Sequence, residues 1–456
     1  MFRNVLRAAL LGSALLAAVL PASAQVDTGA ANFTTYVAVG DSLTAAFMSG
    51  GLVESAQRNS YPALIYRQAT GRATGFEQPL VSAPGIPALQ QLRSLLPLSI
   101  GQAAGTGTPL NATLQRPYNN LAVPGADVHD VLFTVRGGLN DLILRGLGTQ
   151  LQQAVALQPT FVTLWIGNND ALAAALAGVV DDNTLTPLAT FTDEYRQIVN
   201  ALNATGARMA IANIPNVTVI PYVNTVPTVV VNPQTNQPVL NNGQPIPLIG
   251  PNGPLGAGDR VLLTGSAELA QGRGLPPSLG GTGPLSDAAV LSASEIATIN
   301  ARVAAFNQVI QAEASRVGAA FVDMNAFLNQ AATTGLRVGG MTFTPAFLTG
   351  GIFSYDGVHP TPFGYAYIAN VFIDEINEQF DAEIPPVDLY PFLFGPKSGG
   401  GATFQAGQVV VKVDPIAVRN LFWALNVQQV TEDPGTGRNN RPADRPRNNR
   451  RRNRKN

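Results

Sequence analysis

The sequence predicts an α/β protein, a three-layer α/β/α sandwich around a central, mostly parallel sheet. Three observations predict it. Short β-branched or aromatic runs recur along the chain, longer helix-forming stretches separate them, and the runs are apolar throughout. A strand that is apolar on both sides has both sides covered, and the helices linking parallel strands supply the cover.

Taken in order, Phe33 to Val39 forms the first strand and ends at Gly40. Leu43 to Met48 follows with helix-forming composition. Thr160 to Ile166 is the second strand, ending at another glycine, Gly167; Ala207 to Ala212 is the third and Ala319 to Val322 the fourth. Helices are expected over Asp170–Val180, Phe191–Asn203 and Glu295–Val317, the last announced by Ser292 three residues before Glu295, a capping-box spacing. In such sheets ligands bind beyond the carboxyl ends of the strands. Ser42, Asn169 and Asn213 all fall there.

The remaining stretches read differently. Arg3 and Arg7, the apolar run Ala8 to Leu20 and Ala22-Ser23-Ala24 make residues 1–24 a signal peptide, cleaved after Ala24. That run is well short of the ~20 residues needed to span a bilayer, so the expectation is a secreted, periplasmic or cell-envelope protein with no transmembrane span. Residues 25–385 read as one domain. Within it, 221–284 is crowded with Pro, Gly and Asn and reads as an inserted loop or hairpin that bears on substrate choice and not on the chemical step. Residues 386–432 form a C-terminal extension, with a strand at Val409–Val413 and a short helix near Val418–Leu425. The tail 433–456 is Arg/Asn/Pro-rich and expected to be disordered. From Thr431 onward there are nine Lys/Arg against three Asp/Glu, which leaves the body of a chain of net charge −1 acidic. An acidic body argues against nucleic acid as a partner, while the basic tail suits weak contact with anionic envelope polymers. There is no cysteine and there are two histidines, which excludes disulfides and disfavours a zinc site.

Those two histidines narrow the chemistry. His359 stands three residues after Asp356, so one turn can bring the carboxylate against the ring and fix its tautomer. Ser42 directly follows a strand in Gly40-Asp41-Ser42-Leu43, where a tight turn can lift its hydroxyl above the sheet and helix N–H groups can face developing negative charge. Bland readings stand beside these: Ser42 or Asn169 as helix caps, Asp170 as a loop-holding carboxylate, His129 as a hydrogen-bonded loop histidine, Trp165 as core.

Four blocks in order resemble the GDSL/SGNH hydrolase family: Gly40-Asp41-Ser42-Leu43, Asn120 to Gly125, Gly167-Asn168-Asn169-Asp170, and Asp356-Gly357-Val358-His359-Pro360 followed by Phe363-Gly364-Tyr365. The resemblance spans roughly Thr34 to Phe380 and implies a flavodoxin-like sheet and a serine ester hydrolase. It implies Ser42 as nucleophile, His359 as general base, Asp356 orienting it, and an oxyanion hole from the N–H groups of Ser42 and Gly125 and the amide of Asn169. No metal or organic cofactor is implied. The substrate is an ester, a small molecule, a lipid or an acetylated glycan. An apolar acyl or lipid-like ester is the first expectation, polysaccharide O-deacetylation the second, and an inactive cell-envelope binding protein the alternative of another class.

Overall fold

A computed structural model of the chain describes residues 26–394, apart from Leu96, Pro97, Gln234 and Asn236. The expected signal peptide at 1–24, the strand at Val409–Val413, the helix near Val418–Leu425 and the tail at 433–456 lie outside the described residues. The elements that place the site are, in chain order, β1 (Tyr36–Gly40), α1 (Ser42–Ala45), α2 (Tyr61–Thr70), α3 (Val128–Phe133), α4 (Gln150–Ala156), β2 (Phe161–Trp165), α5 (Asn169–Ala177), α6 (Leu188–Asn203), β3 (Arg208–Ala212), α7 (Ala293–Val317), β4 (Ala320–Val322), α8 (Met324–Thr333) and α9 (Pro362–Phe380).

The four strands form one parallel sheet in the order β1-β2-β3-β4, with Gly40 opposite Trp165 and Thr163 opposite Ala210. A fifth segment lines the outer edge of β1. Ala38 takes a backbone bond from Leu121 and gives one to Asn119, and Val123 N–H donates to the Gly40 carbonyl. With that edge counted, the chain order across the sheet is 2-1-3-4-5, the flavodoxin-like arrangement, whose switch point lies between β1 and β2.

Side chains alternate along each strand, and both faces are dry. Val37, Val39, Val162, Leu164, Met209 and Ile211 enter one apolar cluster with Phe191 and Ile198 of α6 and Phe306 and Ile310 of α7. Tyr36, Phe161, Trp165, Ala210 and Ala212 enter the other, with Tyr61 and Ile65 of α2 and Ile368 and Phe372 of α9. Burial on both sides is why these strands read as unbroken apolar runs, and it gives the three layers.

The long helix α7 starts where the Ser292–Glu295 spacing places it. Ser292 accepts from Glu295 N–H, and the Glu295 carboxylate accepts from Ser292 N–H at 2.8 Å. A cap of this kind is worth about 1 kcal/mol. The helix expected over Leu43–Met48 is shorter, because Ala46 turns left-handed at φ +56° and ends α1 at Ala45. Tertiary bonds override propensity here: the chain folds back so that Ser49 N–H donates to Ser354 Oγ at 2.8 Å and Gly50 N–H to Asp356 Oδ2 at 2.9 Å.

Residues 221–284, expected as a loop or hairpin, hold turns and two-residue ladders such as Leu240–Asn241 with Gln244–Pro245, together with short helices at Pro221–Asn224 and Gly265–Ala270. They enclose a small apolar cluster that includes Val230, Leu248, Val261 and Leu285. Arg260–Val261 pairs antiparallel with Val290–Leu291, just before α7. Among the described residues no helix is long and apolar enough to cross a membrane.

Candidate active site

The turn after β1 admits nothing larger than glycine at its first position. A Cβ on Gly40 would lie 2.3 Å from Thr44 Oγ1 and 2.5 Å from the Trp165 carbonyl oxygen. The tight turn makes Ser42 the first residue of α1, and the Asp41 side chain caps that helix by accepting from Leu43 N–H at 2.9 Å. Asn168 Nδ2, in the loop after β2, donates to the other Asp41 oxygen at 2.7 Å, so the loops on either side of the switch point are tied together.

Asp41 is fully buried, and burial pushes its carboxyl from the usual 3.8 up to about 6, against the pull of its bonds to Asn168 and Leu43 and of the nearby His359. A raised carboxyl keeps its proton in the folded chain after the unfolded chain has lost its own, so stability falls as pH rises from about 4 to about 6. At 1.36 kcal/mol per pH unit the loss is on the order of 3 kcal/mol. Urea midpoints of wild type and Asp41→Asn across that range should therefore converge or cross, with wild type losing ground as pH rises. Parallel curves would show that Asp41 titrates normally.

Asp356 and His359 lie on the turn before α9. His359 Nδ1 donates to Asp356 Oδ2 at 2.9 Å, and the other carboxylate oxygen accepts from the N–H groups of Val358 and His359 at 2.9 Å each and from Ser354 Oγ at 3.1 Å. Burial pushes the Asp356 carboxyl up, but the His359 charge and these donated bonds outweigh it and hold the group below its ordinary value. An ionised carboxylate can only accept, so the imidazole proton sits on Nδ1 and Nε2 is left as an acceptor. The Phe47 ring stands edge-on to the imidazole, centroids 4.9 Å apart, and its carbonyl is held by the Tyr365 hydroxyl at 2.6 Å.

Ser42, Gly125 and Asn169 line the same space. Val123–Gly125 leaves the edge of β1, and Gly125 sits at φ +89° with open space where a Cβ would stand. Among the described residues, neither the Ser42 N–H nor the Gly125 N–H meets a protein acceptor. Asn169, the first residue of α5, spends one amide N–H on the Ala126 carbonyl at 2.7 Å, which aims its side chain across the same loop. It caps nothing: the cap position of α5 is Asn168. Ser42, Gly125, Asn169 and His359 all line one cavity of about 560 Å³, whose other walls include Phe47, Ile86, Pro124, Leu139, Leu172 and Leu176. No hydrogen bond joins Ser42 to His359 in this structure; bonds of this kind often tighten only when substrate is bound.

The family model described as GDSL-like lipase/acylhydrolase matches residues 36–372, from the start of β1 into α9. The chain belongs to the GDSL-like lipase/acylhydrolase family. It is a serine ester hydrolase with the family's α/β fold. No curated protein matches the sequence. Solved structures similar to it include TesA, 14% identical over 75% of this chain and 98% of its own, TM-score 0.31. A catalytic variant of Axe2, an acetylxylan esterase from Geobacillus stearothermophilus, is 14% identical over 75% of this chain and 93% of its own, TM-score 0.35. An extracellular lipase from Streptomyces rimosus is 16% identical over 75% and 98%, TM-score 0.32.

The other residues singled out in this GDSL-family chain take quieter places. His129 lies on α3 and not in a loop, is 59% exposed, and pairs with Glu194 at 2.9 Å, which raises its pKa. Trp165 is core, its indole donating to the Asn213 carbonyl at 3.0 Å. Asp170 is buried and accepts from Val128 N–H at 3.1 Å, holding the start of α3 beside the Gly125 loop. Two features escaped the sequence reading. One is the Asp41–Asn168 tie. The other is Tyr222, at the start of the 221–284 segment: its N–H donates to the Gly357 carbonyl at 2.9 Å, and its hydroxyl to the carbonyl of Leu176, a cavity wall, at 3.3 Å. The expectation that 221–284 bears on substrate choice alone is thus qualified, since its first turn holds the Asp356–His359 loop. A single tyrosine in a Pro-rich stretch carries no local signal of such a contact.

Proposed function

We propose that this chain hydrolyses carboxylic esters with an apolar acyl group through an acyl-enzyme on Ser42. The observation that carries the proposal is the convergence of Ser42, His359, Gly125 and Asn169 on one predominantly apolar cavity of about 560 Å³. That size lies in the ordinary range for small-molecule sites.

In the proposed reaction Ser42 Oγ attacks the acyl carbon while His359 Nε2 takes its proton, and Asp356 stabilises the imidazolium that forms. Negative charge then develops on the substrate oxygen, where the free N–H groups of Ser42 and Gly125 and the Asn169 amide would meet it. Donors of this kind are typically worth 10²–10³ each in turnover because they act only as the charge appears. His359 returns the proton to the departing alcohol; water then attacks the acyl-enzyme by the same route in reverse, releasing acid and Ser42. Export is part of the proposal and rests on the sequence of residues 1–24.

The test is kcat/KM for nitrophenyl acetate, butyrate and octanoate beside acetylated xylan. Each methylene buried in an apolar wall adds about 0.8 kcal/mol, so the proposal expects butyrate or octanoate to exceed acetate by at least tenfold, with weak release of acetate from xylan. Acetate preferred, with efficient deacetylation of xylan, would replace this reading by polysaccharide O-acetyl ester hydrolysis.

A further inference from the structure

At the far side of the same sheet, beyond the carboxyl ends of β3 and β4, lies a second cavity of about 370 Å³. Seven of its eleven lining side chains are carboxamides, and Asp323 is the one ionisable group among them. The solvent-facing stripe of an ordinary helix is rich in charge. On α7 the stripe facing this cavity is Asn300, Val303, Ala304, Asn307, Gln308 and Gln311, four carboxamides and two small apolar residues at helical spacing, while Glu295, Arg302, Glu313 and Arg316 stand elsewhere on the helix.

The cavity has a fixed floor and a free rim. Asn213 Nδ2 donates to Asp323 Oδ1 at 2.8 Å, Asn307 exchanges two bonds of 2.8 Å with the backbone of Ile214, and Asn325 Nδ2 donates to the Ile214 carbonyl at 3.0 Å. These bonds hold the floor in one geometry. The exposed side chains of Gln308 and Gln311, by contrast, make no hydrogen bond among the described residues, and the Asn300 side chain uses only its oxygen, accepting from Thr218 Oγ1 at 3.0 Å. The amide groups of Gln308 and Gln311 and the Asn300 NH₂ are therefore left over from the contacts that hold the fold.

The chemistry of this set is selective. A carboxamide offers donors and acceptors without charge, which is what a hydroxyl group needs from both directions. No Lys or Arg lines the cavity to pair with a phosphate or carboxylate, and its polarity suits no acyl chain. The half-buried Phe321 adds an apolar ring that can cover the C–H face of a sugar. A floor already locked by hydrogen bonds lowers the ordering cost of binding.

We propose that this cavity is a binding site for neutral oligosaccharide, separate from the ester cavity at Ser42. Asn213 follows β3 and Ser42 follows β1, two strands away, so strand spacing of ~4.8 Å puts the two sites roughly 10 Å apart across the sheet. A glycan held here keeps the enzyme beside ester groups on or near that polymer. The inference stands apart from the acyl-chain reading and is tested apart from it.

The experiment titrates xylohexaose, cellohexaose and maltohexaose into the full chain by calorimetry. It compares wild type with Gln308→Ala/Gln311→Ala and with the triple variant that adds Asn300→Ala, and follows nitrophenyl butyrate hydrolysis in parallel. At least one hexasaccharide should bind with millimolar affinity or better. Both variants should weaken it, the triple by at least tenfold, with butyrate turnover kept within twofold. No binding of any of the three at millimolar concentration, or undiminished binding by the double variant, overturns the proposal. Glycan binding that the variants weaken, in a chain that fails to hydrolyse butyrate, would uphold it and sink the apolar-acyl reading instead.

Discussion

Asp356→Asn should lower kcat by about 10⁴-fold while leaving the fold intact. The carboxylate accepts from His359 Nδ1, from Gly50 N–H and Ser354 Oγ, and from the N–H groups of Val358 and His359. An asparagine oxygen can keep the two backbone bonds that shape the turn. Its NH₂ group then faces Nδ1, and two donors cannot share a bond, so the imidazole moves its proton to Nε2. With Nε2 protonated, His359 has nothing with which to accept the Ser42 proton. Turnover of nitrophenyl butyrate, with circular dichroism as the check on folding, reads the effect. A loss below tenfold would remove Asp356 from the mechanism.

The second large effect separates the two histidines. His359→Ala should cost about 10⁵–10⁶ in kcat, because members of such a unit fail together, whereas His129→Ala should stay within about twofold. The difference follows from position: His359 lines the cavity that holds Ser42, and His129 is largely exposed on α3 with its ring nitrogen bonded to Glu194. Steady-state turnover of both variants on one ester is sufficient. A collapse in His129→Ala would mean that the proton acceptor had been placed at the wrong histidine.

What the sequence made legible follows from how local each cause is. Strands dry on both faces must read as apolar runs, and so β1 to β4 were visible, as were α7 through its capping box and the Ser42 turn through Gly40. The end of α1 at the left-handed Ala46 was hidden, since the fold-back that follows it is held by bonds from Ser49 and Gly50 to Ser354 and Asp356, about three hundred residues away in the chain. The helix α9 did carry a readable signal: Thr361 and Pro362 at its start and the spacing of Phe363, Ala366, Ala369, Phe372 and Ile376. The Asp41–Asn168 tie and the Tyr222 contact to Gly357 had none, because a side chain that meets a distant loop leaves no periodicity. The carboxamide stripe of α7 was written in the sequence as well, yet Asn and Gln on an outer face acquire meaning only when Asn213 and Asn325 are brought opposite.

The central claim is that Ser42 is the nucleophile of this serine ester hydrolase, and covalent capture tests it most directly. A fluorophosphonate phosphonylates only a serine whose hydroxyl is activated by a neighbouring base and whose developing oxyanion finds donors. Digestion and mass spectrometry of the labelled chain should place one equivalent of the probe on the peptide that carries Ser42, with labelling lost in Ser42→Ala and strongly slowed in His359→Ala. Stoichiometric label on any other serine, or none on a chain that hydrolyses esters, would contradict the account.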